Sequence, residues 1–161
     1  MTVRLVPATP THFARLLEGR PPEQAIVLPH TPVAEPEVLA MLAGLAEAVG
    51  EVFSPPAWLV VSDDELVGLM SVTSVLEERR LQIGYGVAPG SQGRGHASAA
   101  LKALVDWARS DPRVDALYAE TRTDNIASQR VLERNGFVQM AERLDAEDGA
   151  LFCWHIDCRG T

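Results

Sequence analysis

The spacing of apolar and polar residues changes period several times along the chain, and each change predicts an element. "TVRLVPA", residues 2–8, reads as a first strand, and "TPTHFARLLEG", residues 9–19, as a short helix with Thr9 or Thr11 near its cap. Prolines at 29, 32 and 36 mark a loop, and Pro36 fits the first turn of a second helix in which Val38, Leu42, Leu45 and Val49 recur at helical spacing. "AWLVVSDDELVGLMSVTSV" gives two strands joined at Asp63 and Asp64. In "LQIGYGVA", Leu81, Ile83, Tyr85 and Val87 alternate with Gln82, Gly84 and Gly86, which predicts a strand with one apolar and one glycine-rich face. The period then turns helical at positions 97, 100, 101, 104, 105 and 108. "DALYAETR" is a further strand. Asp124 or Asn125 caps the helix that follows, and Gly136 ends it in a left-handed residue before Phe137 restarts a strand.

This order gives a mixed α/β (α+β) domain spanning residues 1–161, a length that suits one core. No apolar stretch approaches the roughly 20 residues of a membrane span, and "MTVRLVPAT" lacks the apolar run of a secretory signal, so a soluble cytoplasmic protein without a membrane partner is expected. Cys153 and Cys158 lie an odd number of positions apart in a strand-like stretch, which points them to opposite faces and argues against a disulfide. The four histidines, at 12, 30, 96 and 155, do not form pairs at ligand spacing, and no metal is expected. A net charge of −8 with no basic block removes the electrostatic basis for nucleic-acid binding. It serves solubility first and cationic partners such as amines second.

Chemistry is concentrated where the glycine-faced strand runs into "GSQGRGHASAALKAL", residues 90–104. Glycines inside a strand mark a bulge, tight packing or the close approach of a ligand to the backbone. The loop beyond them ends at a helix start, where unpartnered N–H groups and the helix dipole favour an anion. Gly93 and Gly95 leave that approach open and Arg94 adds a charge beside it, so a phosphate group is the expected ligand. A triphosphate loop would need Lys followed by Ser or Thr after the glycines, and the chain has neither. A dinucleotide loop would need a small residue in register and an acidic residue at the end of the next strand; Ser98, Asp111 and Asp115 meet these poorly.

The remaining pattern, Q-x-x-G-x-[GA], is present as Gln92, Gly93, Arg94, Gly95, His96 and Ala97. With "TDNIASQRVLERNGF", residues 123–137, it resembles the GNAT acetyltransferase superfamily, and most closely the branch with the ribosomal-protein N-terminal acetyltransferases. The resemblance implies a mixed, strongly twisted sheet of about seven strands flanked by helices, with two central parallel strands splayed around acetyl-CoA. It implies that the six loop residues hold the pyrophosphate, that the cofactor arm bonds the backbone near Val87, and that Asn125 and Ser128 contact that arm. The activity implied is acetyl transfer to a primary amine, on a protein N-terminus or a small molecule. The alternative is an acyl-CoA-binding module that has lost catalysis. Glu120, five residues before Asn125, matches the family's proton-accepting glutamate, unless it pairs with Arg122 or a cross-strand partner. Gln82 and Leu132 stand where the family often has a glutamate and a tyrosine acid. Ser128 or Tyr85 is then the candidate proton donor, His155 is expected to be structural, and a homodimer is implied by analogy alone.

Overall fold

The computed structural model describes residues 2–159; Met1, Gly160 and Thr161, the ends of the expected domain, lie outside them. The elements follow as β1 (Val3–Pro7), α1 (Pro10–Leu17), α2 (Pro36–Gly50), β2 (Ala57–Ser62), β3 (Glu65–Leu76), β4 (Arg80–Val87), α3 (His96–Ser110), β5 (Ala116–Arg122), α4 (Ile126–Arg134), β6 (Val138–Asp145) and β7 (Gly149–Asp157). All seven strands share one mixed sheet in the order β1-β2-β3-β4-β5-β7-β6. Every neighbouring pair is antiparallel except β4 and β5. No helix among the described residues is long and apolar enough to cross a membrane.

Local signals account for most of the boundaries. Thr9, not Thr11, caps α1: its hydroxyl accepts the His12 N–H at 3.1 Å while His12 Nδ1 accepts the Thr9 N–H at 3.0 Å. The inward face of α2 runs through Leu39, Leu42, Ala43, Ala46 and Val49, whereas Val38 lies beside it and is 40% exposed. Leu42, Leu45 and Val49 therefore face the cores as expected, and only Val38 gives way to its neighbour Leu39, with the alanines completing the face. Asp63 turns the β2–β3 hairpin with φ of 54°, and Gly136 leaves α4 with φ of 87°. At the end of α3, Arg159 donates to the carbonyls of Ala108 and Arg109 at 2.8 and 2.9 Å, meeting groups the helix cannot satisfy itself.

Both sheet faces are covered at β2, which is buried throughout. Trp58 and Val60 join a core with Leu101, Leu104 and Val105 of α3 and Leu132 of α4; Leu59 and Val61 join a second with Phe13, Leu16 and Leu39 of α1 and α2. Cys158 lies in the first core, Cys153 sits opposite Glu120, and both are free thiols.

The parallel pair is short. β4 and β5 match at Arg80 to Ala116, Leu81 to Leu117 and Gln82 to Tyr118, and there the pairing stops although β4 continues to Val87 and β5 to Arg122. From Ile83 onward β4 keeps β3 on one edge and opens the other on a gap. On the opposite edge, Gly68 lets β3 approach β4 closely, since a Cβ there would stand 2.3 Å from the Gly86 carbonyl oxygen.

Candidate active site

At the end of β4 the chain makes a short 3-10 turn over Pro89–Ser91 and then the glycine loop. Three contacts fix it: Gln92 Nε2 donates to the Val87 carbonyl at 3.2 Å, the Gly90 N–H donates to Thr31 Oγ1 at 2.9 Å, and the buried His96 ring holds its Nδ1 3.0 Å from the Ser91 carbonyl. Gly93 and Gly95 both adopt left-handed backbone, φ 78° and 80°, which side chains resist. The Ser91 and Gln92 amides bond the carbonyls of Ala88 and Pro89; Gly95 then begins α3 with no side-chain cap, and the next amide to find a carbonyl is that of Ala99, bonded to Gly95 at 3.0 Å. The amides between are left beside a cavity of about 610 Å³, which Gly93, Gly95, His96, Ala97 and Ser98 line together with Asn125 and Ser128.

Two basic residues differ from expectation. Arg94 does not line this cavity; it lies in a neighbouring depression with Asp63, Asp64 and Glu65. The charge comes instead from Arg130 and Arg134, one turn apart on α4 and both on the cavity wall. Their four-residue spacing on the helix that Asn125 caps was the available signal. His96 contributes its position at the helix start, with its ring spent on the loop.

A second cavity of about 410 Å³ fills the gap between the parted strands, and Tyr85, Asn125 and Ser128 line both. At this junction Tyr85 Oη and Ser128 Oγ are 3.0 Å apart, and Asn125 Oδ1 accepts the Ser128 N–H at 3.1 Å. Burial pushes the Tyr85 phenol above its ordinary pKa, against the opposing bond from Ser128, so it stays protonated at neutral pH. The two strand glycines have different causes: a Cβ at Gly84 would press on Thr73 Cγ2 at 3.3 Å, while one at Gly86 meets nothing within 4 Å.

Glu120 reaches the gap, on the face shared with Gln82. Its partner is not Arg122, which pairs with Asp124 at 3.4 Å, but Arg143 of β6. Arg143 Nη2 donates to Oε1 at 2.8 Å and Nε to Oε2; Tyr118 donates to Oε2 at 2.8 Å and Gln82 Nε2 to Oε1 at 3.3 Å. The guanidinium foremost, then the Tyr118 and Gln82 donors, hold this carboxyl below its usual range despite partial burial. Glu120 is thus engaged as an anion rather than free to take a proton. Leu132 is buried in the core, and His155 lies 3.8 Å from Asp157 and lines neither cavity.

Residues 2–138 match the family model for the acetyltransferase (GNAT) domain. The chain is 30% identical over 82 residues to the ribosomal-protein-serine acetyltransferase of Escherichia coli (strain K12), a match covering 50% of this chain and 46% of that protein. It is 29% identical over 85 residues to the uncharacterised N-acetyltransferase YjdG of Bacillus subtilis (strain 168), 51% of each chain. The matches therefore span about half the length of these relatives. Among solved structures, the RimL ribosomal L7/L12 alpha-N-protein acetyltransferase in complex with coenzyme A superposes with a TM-score of 0.72 at 21% identity, over 98% of this chain and 94% of that one. A chimera of spermidine N-acetyltransferase SpeG from Vibrio cholerae and hSSAT gives a TM-score of 0.70 at 14% identity, over 98% of this chain and 96% of that one. These likenesses carry the fold. Together with the split strands, the glycine loop and the helix that follows them, the family match means that this chain belongs to the GNAT acetyltransferases.

Proposed function

We propose that the protein transfers an acetyl group from acetyl-CoA to the α-amine of a peptide or protein N-terminus. The observation that carries this is the junction of the two cavities at Tyr85 and Ser128. One side is built for phosphates, with helix-start amides, Arg130 and Arg134; the other opens between unpaired strand edges. The residues fit the cofactor: Gly93, Gly95 and Ala97 present backbone to the pyrophosphate, and Gly86 and Asn125 flank the arm's path. Acetyl-CoA, when bound, supplies an acyl group activated as a thioester.

The chain's residues then position the amine, hold the carbonyl near backbone donors of the open β4 edge, and manage protons. The N–C bond forms as the C–S bond breaks; the amine's proton passes to water, and a proton returns from water to the departing thiolate through the Ser128 and Tyr85 hydroxyls, each of which regains the proton it passes on. No free carboxylate lone pair serves the amine, which suits an α-amine. With a pKa near 8 it is uncharged about a tenth of the time at pH 7, against well under a thousandth for a lysine side chain near 10.4. The similarity to a ribosomal-protein-serine acetyltransferase supports the same acceptor class.

Thermal unfolding with acetyl-CoA, with NAD and with neither tests the cofactor half. A ligand at 100 times its Kd adds about 2.7 kcal/mol, a rise of a few degrees for a domain of this size. The rise is expected with acetyl-CoA alone and is lost in Gly95→Glu, where a side chain meets a left-handed backbone and a negative charge meets the anion site. No shift at millimolar acetyl-CoA refutes the assignment. A second reading, a CoA-sensing module, is favoured by the saturation of Glu120 and would be adopted if binding came without thiol release across N-terminal peptides, lysine and polyamines.

A further inference from the structure

Arg143 lies on the edge strand β6, and its guanidinium crosses β7 to close on Glu120. Its third nitrogen, Nη1, donates to Asp145 Oδ1 at 3.3 Å, so the side chain is held from both ends although it is 45% exposed. Glu120, 13% exposed, receives from Arg143 twice, from Tyr118 and from Gln82. A carboxylate has about four lone-pair positions, and these four donors fill them. The remaining groups around it are the Cys153 thiol, 3.9 Å from Oε2, and, on the gap wall, Arg122 and Asp148. An ammonium entering the gap finds in Glu120 neither an open acceptor nor an uncompensated charge.

We propose that Arg143 determines acceptor specificity: by closing the ion pair with Glu120 it neutralises the charge on the inner wall of the gap and leaves only the exposed Asp148 at its rim, so that uncharged α-amines are taken and lysine side chains and polyamines are rejected. This rests on the reading of the gap as the acceptor site. A cation placed there without a partner loses its hydration uncompensated, whereas a neutral amine does not. Removing the guanidinium opens two lone pairs and exposes one negative charge, which attracts a cation and can accept its proton.

Release of CoA thiol from acetyl-CoA by the full chain, between pH 6 and 10, tests this with a lysine-free peptide bearing a free N-terminus, with Nα-acetyl-lysine amide and with spermidine. In the wild type kcat/KM for the peptide rises about tenfold per pH unit and levels near pH 8, where the acceptor itself ionises. It exceeds that for Nα-acetyl-lysine amide at pH 7 by at least about 200-fold, the ratio of their uncharged fractions, and it exceeds that for spermidine as well. Arg143→Gln lowers this preference at least tenfold by gain on the cationic acceptors, Arg143→Lys stays nearer the wild type, and adding Glu120→Gln to Arg143→Gln removes the gain. A merely structural Arg143 would lower all three acceptors together, and that result overturns the proposal. So does a wild type that prefers lysine or spermidine, a result that needs no variant to fold. Acetyl-CoA binding without turnover of any acceptor refutes the parent reading and this role with it.

Discussion

The Tyr85–Ser128 pair can be tested atom by atom. Ser128→Ala removes the hydroxyl proposed to pass a proton to the thiolate, yet keeps the backbone N–H that Asn125 caps, so helix α4 and the cofactor cavity persist. Kcat is expected to fall about 100-fold, the low end for a general acid, because a thiolate with a pKa near 8.5 leaves partly unaided. Tyr85→Phe, which leaves the Ser128 hydroxyl in place, is expected to cost about tenfold. Acetyl-CoA affinity, measured separately by calorimetry, should stay within about threefold in both; an equal loss of affinity and rate would make the pair structural. Both hydroxyls could be singled out in the sequence, and so could the glycine loop and Asn125, because each sits inside a local pattern. Arg143 was not. It acts on Glu120 from a strand 23 residues away, through a register that nothing short of the folded sheet reveals. Arg94 illustrates the opposite failure, since its place in the loop motif gave no information on which side of the loop its long side chain would take.

Strand and helix signals were strong where one face is buried and the period is clean, as in β4 and α3. In α2 they failed only at Val38, whose neighbour Leu39 is buried instead, and they could not show that small alanines carry part of the contact. The parting of β4 and β5 has no local signature, but the close approach of β3 to the other edge of β4 has a testable one in Gly68. A Cβ there would meet backbone atoms, the Gly86 oxygen at 2.3 Å and the Val87 Cα at 3.2 Å, and neither can rotate away. Gly68→Ala must push β3 from β4, an overpacking cost of about 1–3 kcal/mol, and it moves the strand edge that faces the cofactor. Unfolding temperature and acetyl-CoA affinity are expected to fall together. Gly86→Ala, with nothing within 4 Å of its new carbon, should leave stability within about 0.5 kcal/mol and weaken acetyl-CoA alone. Equal stability losses at the two positions would mean that Gly86 also serves packing, not ligand approach.

Across the whole molecule the same ion pair that neutralises the gap also ties β5 to the edge strand β6, and its response to acid follows from the direction of the shift. Glu120 is held below its usual pKa chiefly by Arg143, Asp111 by Arg113, and Asp145 by the N–H groups of Asp148 and Glu147. A carboxyl whose folded pKa is depressed binds fewer protons folded than unfolded over the interval between the two values. Its contribution is therefore complete above the unfolded pKa, about 3.9 for Asp and 4.3 for Glu, and is lost as pH falls through the lower folded value. Unfolding temperature should thus be insensitive to these three groups from pH 6 to 8 and decline below about pH 4.5. Glu120→Gln removes one of them while keeping the shape of the side chain. It should lower the unfolding temperature at pH 7, where the native carboxylate is ionised, and the deficit should begin to shrink once pH falls below the unfolded value near 4.3 and keep shrinking toward pH 3. Melting both proteins at half-unit steps between pH 3 and 7 measures that difference. A deficit that stays constant across the range would mean that Glu120 stabilises the sheet by its neutral contacts with Tyr118 and Gln82, and that the charge on Arg143 is held in place by Asp145 alone.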